Sequence, residues 1–404
     1  MVTTRHDLVA LCRRDPLAGL DAGFSERLAD PARRAQLWSL ASRHRVYGLA
    51  HSVAARTLGP GAGGEVADTL RRLRRSAALL QLSRDDLVRC LRACGVEPVI
   101  LKGAAVMDTL YDEPVERDLD DLDILVRPSD VERAAAALTE SGYGLDPALP
   151  SPEAYRRHHF HLPLQHRGRP MVEVHWALSR PFSPFQLSAE RVLEAAIVAP
   201  RPTGLSMRVP RPEHLILHVV LQNLQESFSR LGRLVDIDRI TASCPGLDWD
   251  MLTRAARDGD LGPAVSFSLQ MTKRLFGSPI PDAVIRDLRP SRLARFHLAI
   301  LEPVASLLSQ RLSRAPAAMQ VHTLWLVGRA SQRLSVVRSL LRADDEFVDV
   351  ERHEVGPARG AIKLGKLVAF QAVAYLSAAG RSLTTTGRAQ MRFWSSQARS
   401  SDLL

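Results

Sequence analysis

The strongest constraint in this chain is a short alternating run. Arg117–Asp123 reads RDLDDLD and leads directly into ILV, so four aspartates precede or interleave with a β-branched stretch. In a strand, successive side chains leave on opposite faces, which sends Leu122, Ile124 and Val126 to one side and Asp121 and Asp123 to the other. The apolar set belongs to a core. The Cα atoms of Asp121 and Asp123 then stand roughly 6.6 Å apart on the opposite face, a spacing that lets both carboxylates reach one or two hard cations. Asp118 and Asp120 repeat the i,i+2 spacing but precede the strand and would bind from a loop, so Asp121 and Asp123 are the favoured pair.

A D-x-D pair suits Mg²⁺, which takes one or two carboxylates and fills its other positions with water and phosphate oxygens. A third carboxylate comes from MVEVHW, Met171–Trp176. There Val172, Val174 and Trp176 alternate with Glu173 and His175. Laid beside the first strand, this segment brings Glu173 to the aspartates, to complete a metal site or to accept a proton from an acceptor hydroxyl.

The surrounding pattern is a small α/β unit. VEPVILKG (96–103) reads as a strand ending at a glycine, and AAVMDTLY (104–111) as a turn or two of helix. PSDVERAAAALTESGY (128–143) reads as a helix with Ser129 and Glu132 spaced for a capping box and Gly142 beyond its end. HHFHLPLQH (158–166) and MVEVHW are two strands around a turn. On the N-terminal side, Ala35–Arg56 and Leu70–Cys94 have helical periodicity, with a glycine-rich loop at 58–65 between them. Helical periodicity returns at Pro212, a first-turn proline. The expected organisation is a helical region over 1–95, an α/β core over 96–180, a second helical region over 181–343 and a basic arm over 344–404.

LKGAA (101–105), R-x-x-x-D-x-D-I-L-V (117–126) and V-E-V-H-W (172–176), in that order, carry a resemblance. With them the chain resembles the uncharacterised nucleotidyltransferase family of the DNA polymerase β-like superfamily, over about residues 35–240 and most strongly over 99–176. The resemblance implies an α+β fold, a small mixed-sheet core flanked by helical regions. It also implies two Mg²⁺ ions, or Mn²⁺ in their place, and transfer of a nucleoside monophosphate from an NTP to a hydroxyl or phosphate of a small molecule or protein, with release of pyrophosphate. Asp121 and Asp123 match the family's paired carboxylates, Glu173 its third, and Gly103 the glycine that admits the triphosphate to backbone amides. The superfamily usually has Gly-Gly or Gly-Ser where this chain has Gly103-Ala104. Triphosphate binding is then expected from backbone N–H groups, Lys102 and Arg117. The departure leaves open a second expectation, a catalytically inactive member that binds nucleotide or a partner.

Composition excludes other classes. With 46% hydrophobic residues in 404, the chain can bury a sizeable core and is not disordered. Its net charge of +10 points to nucleic acid only while it is taken whole. Residues 97–176 hold eight Lys/Arg against fifteen Asp/Glu, while 309–404 hold fourteen against seven. A carboxylate-rich core framed by basic helices fits a triphosphate better, and without an aromatic–basic platform no nucleic-acid partner is expected. Lysine occurs only at 102, 273, 363 and 366, which gives Lys102 weight. No apolar run spans a bilayer, the longest being Leu367–Gly380, and residues 1–15 carry charge where a signal peptide is apolar. A cytoplasmic location is therefore expected, with the arm docking back onto the protein, or making weak peripheral membrane or partner contact. His159, His161 and His175 read as polar lining of an acceptor pocket in preference to a zinc site, His214 and His218 as core or surface histidines, and Asp236 as a structural or site residue.

Overall fold

The computed structural model describes residues 2–291, except 17–18, 59–63, 146–154, 158, 182, 202, 227 and 229, together with 326–327. The arm at 344–404 lies outside the described residues, as does most of the glycine-rich loop.

The chain opens on five helices, α1 (Val2–Leu11), α2 (Phe24–Ala29), α3 (Pro31–Arg43), α4 (Tyr47–Leu58) and α5 (Gly64–Ala93). Asp30 caps α3 by accepting the Ala32 and Arg33 N–H groups, with Pro31 in the first turn. The single helix expected over 35–56 is instead two, broken where Arg45 takes a left-handed φ of 55°. The freed N-terminus of α4 is capped from afar: Tyr47 and Gly48 donate their N–H groups to Asp118 at 2.7 and 2.8 Å. A Cβ on Gly48 would lie 1.9 Å from the Val115 carbonyl oxygen, so only glycine lets α4 approach the segment ahead of the aspartate run.

Seven strands form one mixed sheet: β1 (Val99–Ile100), β2 (Asp121–Leu125), β3 (Gly144–Leu145), β4 (His161–His166), β5 (Arg169–His175), β6 (Ile197–Pro200) and β7 (Ser206–Val209), in the order β3-β4-β5-β2-β1-β7-β6. β2 runs parallel to β5, and β1 parallel to β7; the other neighbours are antiparallel. The strand expected over 96–103 is only two residues long. It stops because Lys102 adopts φ 51° and turns the chain into α6 (Lys102–Val106). The capping box at Ser129 and Glu132 does not form. Residues Pro128–Asp130 make a 3₁₀ turn, which delays α7 to Val131–Glu140 and leaves Asp130 at its N-cap without a side-chain bond. Gly142 ends the helix as expected, with φ 90°.

The border expected at residue 180 is overrun, since β6 and β7 lie beyond it and complete the sheet. Then follow α8 (Ala189–Glu194), α9 (Pro212–Gln225), α10 (Leu231–Ser243), α11 (Trp249–Asp258), α12 (Gly262–Phe276) and α13 (Asp282–Asp287). Leu49, Leu91, Ile124, Val174, Ile216 and Leu252 belong to one continuous core, so the helical flanks and the sheet are built around shared apolar contacts. Leu122 and Ile124 are 1% and 0% exposed, each worth about 1.5–3 kcal/mol of burial. α9 is buried nearly all round, and His214 and His218 lie within that buried surface, as core residues. Among the described residues no helix is long and apolar enough to cross a membrane.

Candidate active site

The β2–β5 register assembles the site. Asp123 lies directly across from Glu173, with Leu122 opposite Val172 and Ile124 opposite Val174. Paired residues of neighbouring strands share a face, so the same alternation that buries the aliphatic pairs gathers the carboxylates on the other side. Asp121, Asp123 and Glu173 each offer an oxygen within 4.8 Å of the others. Lys102 enters from the β1–α6 turn: its Nζ donates to Asp123 Oδ1 and lies 3.4 Å from Glu173 Oε2. A left-handed conformation at a non-glycine residue costs on the order of 1–3 kcal/mol, and here it aims an ammonium into the cluster. His175 Nε2 lies 2.9 Å from Asp123 Oδ1 and 3.2 Å from Glu173 Oε2. His161, directly across from His175 on β4, puts its Nε2 3.7 Å from Glu173 Oε1.

Crowding of charge shapes the protonation of these groups. Burial lifts the Asp121 carboxyl to about 6, with the charge of Asp123 adding to the lift and Lys102 opposing it. Burial also works against an ionised Glu173, yet the hydrogen bond from His175 and the Lys102 ammonium hold it below the usual carboxylate range. For His175 burial disfavours the cation, and the bonds to Asp123 and Glu173 outweigh it and raise the imidazole above its ordinary value. Behind the cluster, burial keeps His218 neutral, and the nearby Lys102 and His175 push the same way.

The remaining expected residues have other partners. Asp118 caps α4, and Asp120 pairs with Arg45 at the surface. Arg117 is 5% exposed and forks onto Asp236, Nε to Oδ1 and Nη2 to Oδ2, both at 2.8 Å, while its Nη1 donates to the Asp118 carbonyl. Tyr111 adds a third bond to Asp236 at 2.6 Å. Arg117, expected to face a triphosphate, is thus a buried tie between the loop ahead of β2 and α10, which also gives Asp236 its role. Gly103 is enclosed: a Cβ there would fall 2.2 Å from Leu119 Cδ2 and 3.1 Å from Arg117 Cζ, so close packing already requires glycine. One buried network had no signal in the sequence. Arg84 donates to the Ala104 carbonyl and to Asp108 at 3.2 and 2.6 Å, and Arg201 donates to the Ala105 carbonyl at 3.0 Å. Together they hold α6, and with it Lys102, from below.

With the carboxylates, the lysine and their supports in place, the sequence match becomes decisive. Residues 30–277 match the model of the uncharacterised nucleotidyltransferase family. The chain belongs to this family. No curated protein matches it. The nucleotidyltransferase match opens at Asp30, the cap of α3, and closes at Gly277, whose φ of 67° ends α12. It therefore takes in all seven strands, the Arg117–Asp236 tie and the helices that support the sheet.

Proposed function

We propose that the chain is a divalent-metal-dependent nucleotidyltransferase. It moves a nucleoside monophosphate from a nucleoside triphosphate to a hydroxyl or phosphate of a small-molecule or protein acceptor and releases pyrophosphate. One observation carries this reading: three carboxylates within 4.8 Å of one another on adjacent parallel strands. An oxygen-only donor set of this kind fits Mg²⁺ or Mn²⁺. Such ions, when bound, neutralise phosphate charge and activate the attacking oxygen.

The chain's own residues then have defined tasks. Asp121 and Asp123 hold the ions from β2, and Glu173 joins them from β5 as the third ligand. Lys102, now seated on Asp123, turns to the triphosphate once the carboxylates are otherwise compensated. Gly103 lets the start of α6 pack closely against Leu119 and Arg117, and Arg117, through Asp236, fixes the loop from which β2 starts. Catalysis is by positioning and charge neutralisation of an in-line displacement. Incubation with each labelled NTP, Mg²⁺ and a broad acceptor panel tests this: pyrophosphate should be released by the wild type and not by Asp121→Asn or Asp123→Asn. Nucleotide binding without pyrophosphate release across the panel defeats it.

A second reading is an inactive member that binds nucleotide or a partner. Lys102 favours it, because its ammonium occupies the middle of the carboxylates as a built-in counter-charge. That reading requires nucleotide affinity to be indifferent to divalent metal.

A further inference from the structure

A second set of donors shares Glu173 with the carboxylate triad. His161, Glu173 and His175 each offer one ligand atom within 4.8 Å of the others, and two of the three are imidazoles. Antiparallel pairing places His161 directly opposite His175, so both rings rise from one face, their centroids 4.9 Å apart. Glu173 Oε1 faces His161 Nε2 at 3.7 Å and its Oε2 faces His175 Nε2 at 3.2 Å. Ligands of a tetrahedral Zn²⁺ bound at about 2.0–2.1 Å lie roughly 3.4 Å from each other; the two contacts, one to each Glu173 oxygen, fall on either side of that spacing, and a small turn of the carboxylate brings one oxygen to both nitrogens. Three protein ligands leave a fourth position open, as in sites where a metal also meets water or substrate.

We propose that His161, Glu173 and His175 form a nitrogen-rich cation site that takes a first-row transition metal of the Zn²⁺ type, distinct in chemistry from the all-carboxylate site beside it. Imidazole donors favour such metals over Mg²⁺, whereas Asp121 and Asp123 do the reverse. Glu173 is the bridge, and the two positions are chemically unequal. The affinity is moderate: the Nδ1 atoms of His161 and His175 are buried with no hydrogen-bond acceptor, and outer-shell partners of that kind are worth about 10–100-fold in metal affinity. The site shares Glu173 with the one assigned to nucleotidyl transfer, and its two imidazoles stand independently of that reading.

The test is Zn²⁺ binding to the full chain, by equilibrium dialysis against ZnCl₂ with Mg²⁺ in excess, with circular dichroism to confirm that each variant is folded. Wild type and Asp121→Asn should each retain one Zn²⁺ per chain. His161→Ala should weaken binding by at least about tenfold, the smallest loss expected even for an outer partner. Wild-type stoichiometry and affinity in His161→Ala would mean that Zn²⁺ sits on surface histidines, and overturns the proposal; so does loss of Zn²⁺ in Asp121→Asn with retention in His161→Ala, or no Zn²⁺ uptake by the wild type. Failure here with pyrophosphate release intact leaves the nucleotidyltransferase reading standing, and Zn²⁺ bound through His161 without pyrophosphate release removes only that reading.

Discussion

Arg117 and Asp236, 119 residues apart in sequence, meet in a two-pronged ion pair from which water is nearly excluded. The pair is a positioning device. Removing one charge from it strands the other, so Asp236→Asn should destabilise the fold by about 3–5 kcal/mol in chemical denaturation. Tyr111→Phe, which deletes a hydrogen bond and leaves the fork intact, should cost only about 1–2 kcal/mol. Arg117→Lys should not restore stability, because an ammonium cannot reproduce the fork.

A divalent ion bound as proposed would compete with Lys102 for Asp123 and Glu173. Lys102→Met should therefore tighten Mg²⁺ binding, by about tenfold for a partly screened charge at this range, and weaken binding of ATP. Calorimetric titration with each ligand checks both. A fall in both affinities would show that the ammonium holds the carboxylates in place and does not block them.

Two glycines should respond differently to one added methyl. At Gly103 the clash is with the end of the partly exposed Leu119 side chain, which can shift, so Gly103→Ala should cost about 1–3 kcal/mol and be relieved by Leu119→Ala in a double-mutant cycle. At Gly48 the clash is with the backbone carbonyl of Val115, in the 3₁₀ turn Pro114–Glu116. Gly48→Ala should be the more damaging of the two, with no side-chain substitution able to rescue it.

Burial lowers His51 and His214 from 6.5 to about 4, with the Arg211 charge contributing at His214. Both stay neutral in the folded chain where the unfolded chain takes up protons, so stability should fall as pH drops from about 6.5 to about 4 and lose no more to these groups below that. His51→Phe, which keeps a ring against Trp38, and His214→Leu should each remove about 3 kcal/mol of that fall in urea titrations across the range.

The candidate site was legible where local alternation decides the matter. A five-residue strand with one aliphatic and one acidic face has a single sensible orientation, and the same holds for β5, so the shared face of Asp121 and Asp123 and the outward side of Glu173 follow from period-2 patterning, while the pairing of the two strands came from the resemblance. What was not legible depends on distant partners. Nothing near Arg117 shows that Asp236 will take its guanidinium, and nothing near Arg84 or Arg201 shows that they will hold α6. The break at Arg45 is a tertiary override: periodicity continues through it, but Asp118 rewards a new helix start there. The capping box failed for a local reason, the 3₁₀ turn that begins at Pro128. The sheet outgrew its expected border because β6 and β7 are only four residues each, too short to register as strands, and β6 is exposed along most of its length.

The parallel pairing of β2 with β5 has a consequence for synthesis. His175, the last residue of β5, lies 52 positions after Asp123, and a ribosome adding about 5–20 residues per second needs roughly 3–10 s to cover that distance. For most of that interval the nascent chain carries the aspartates and then His161 without Glu173 or His175, and β2 lacks its parallel neighbour. The full set of carboxylates and imidazoles therefore comes together only after the whole β2–β5 crossover has left the exit tunnel, and a chain cut short within it holds an acidic loop and an incomplete candidate site.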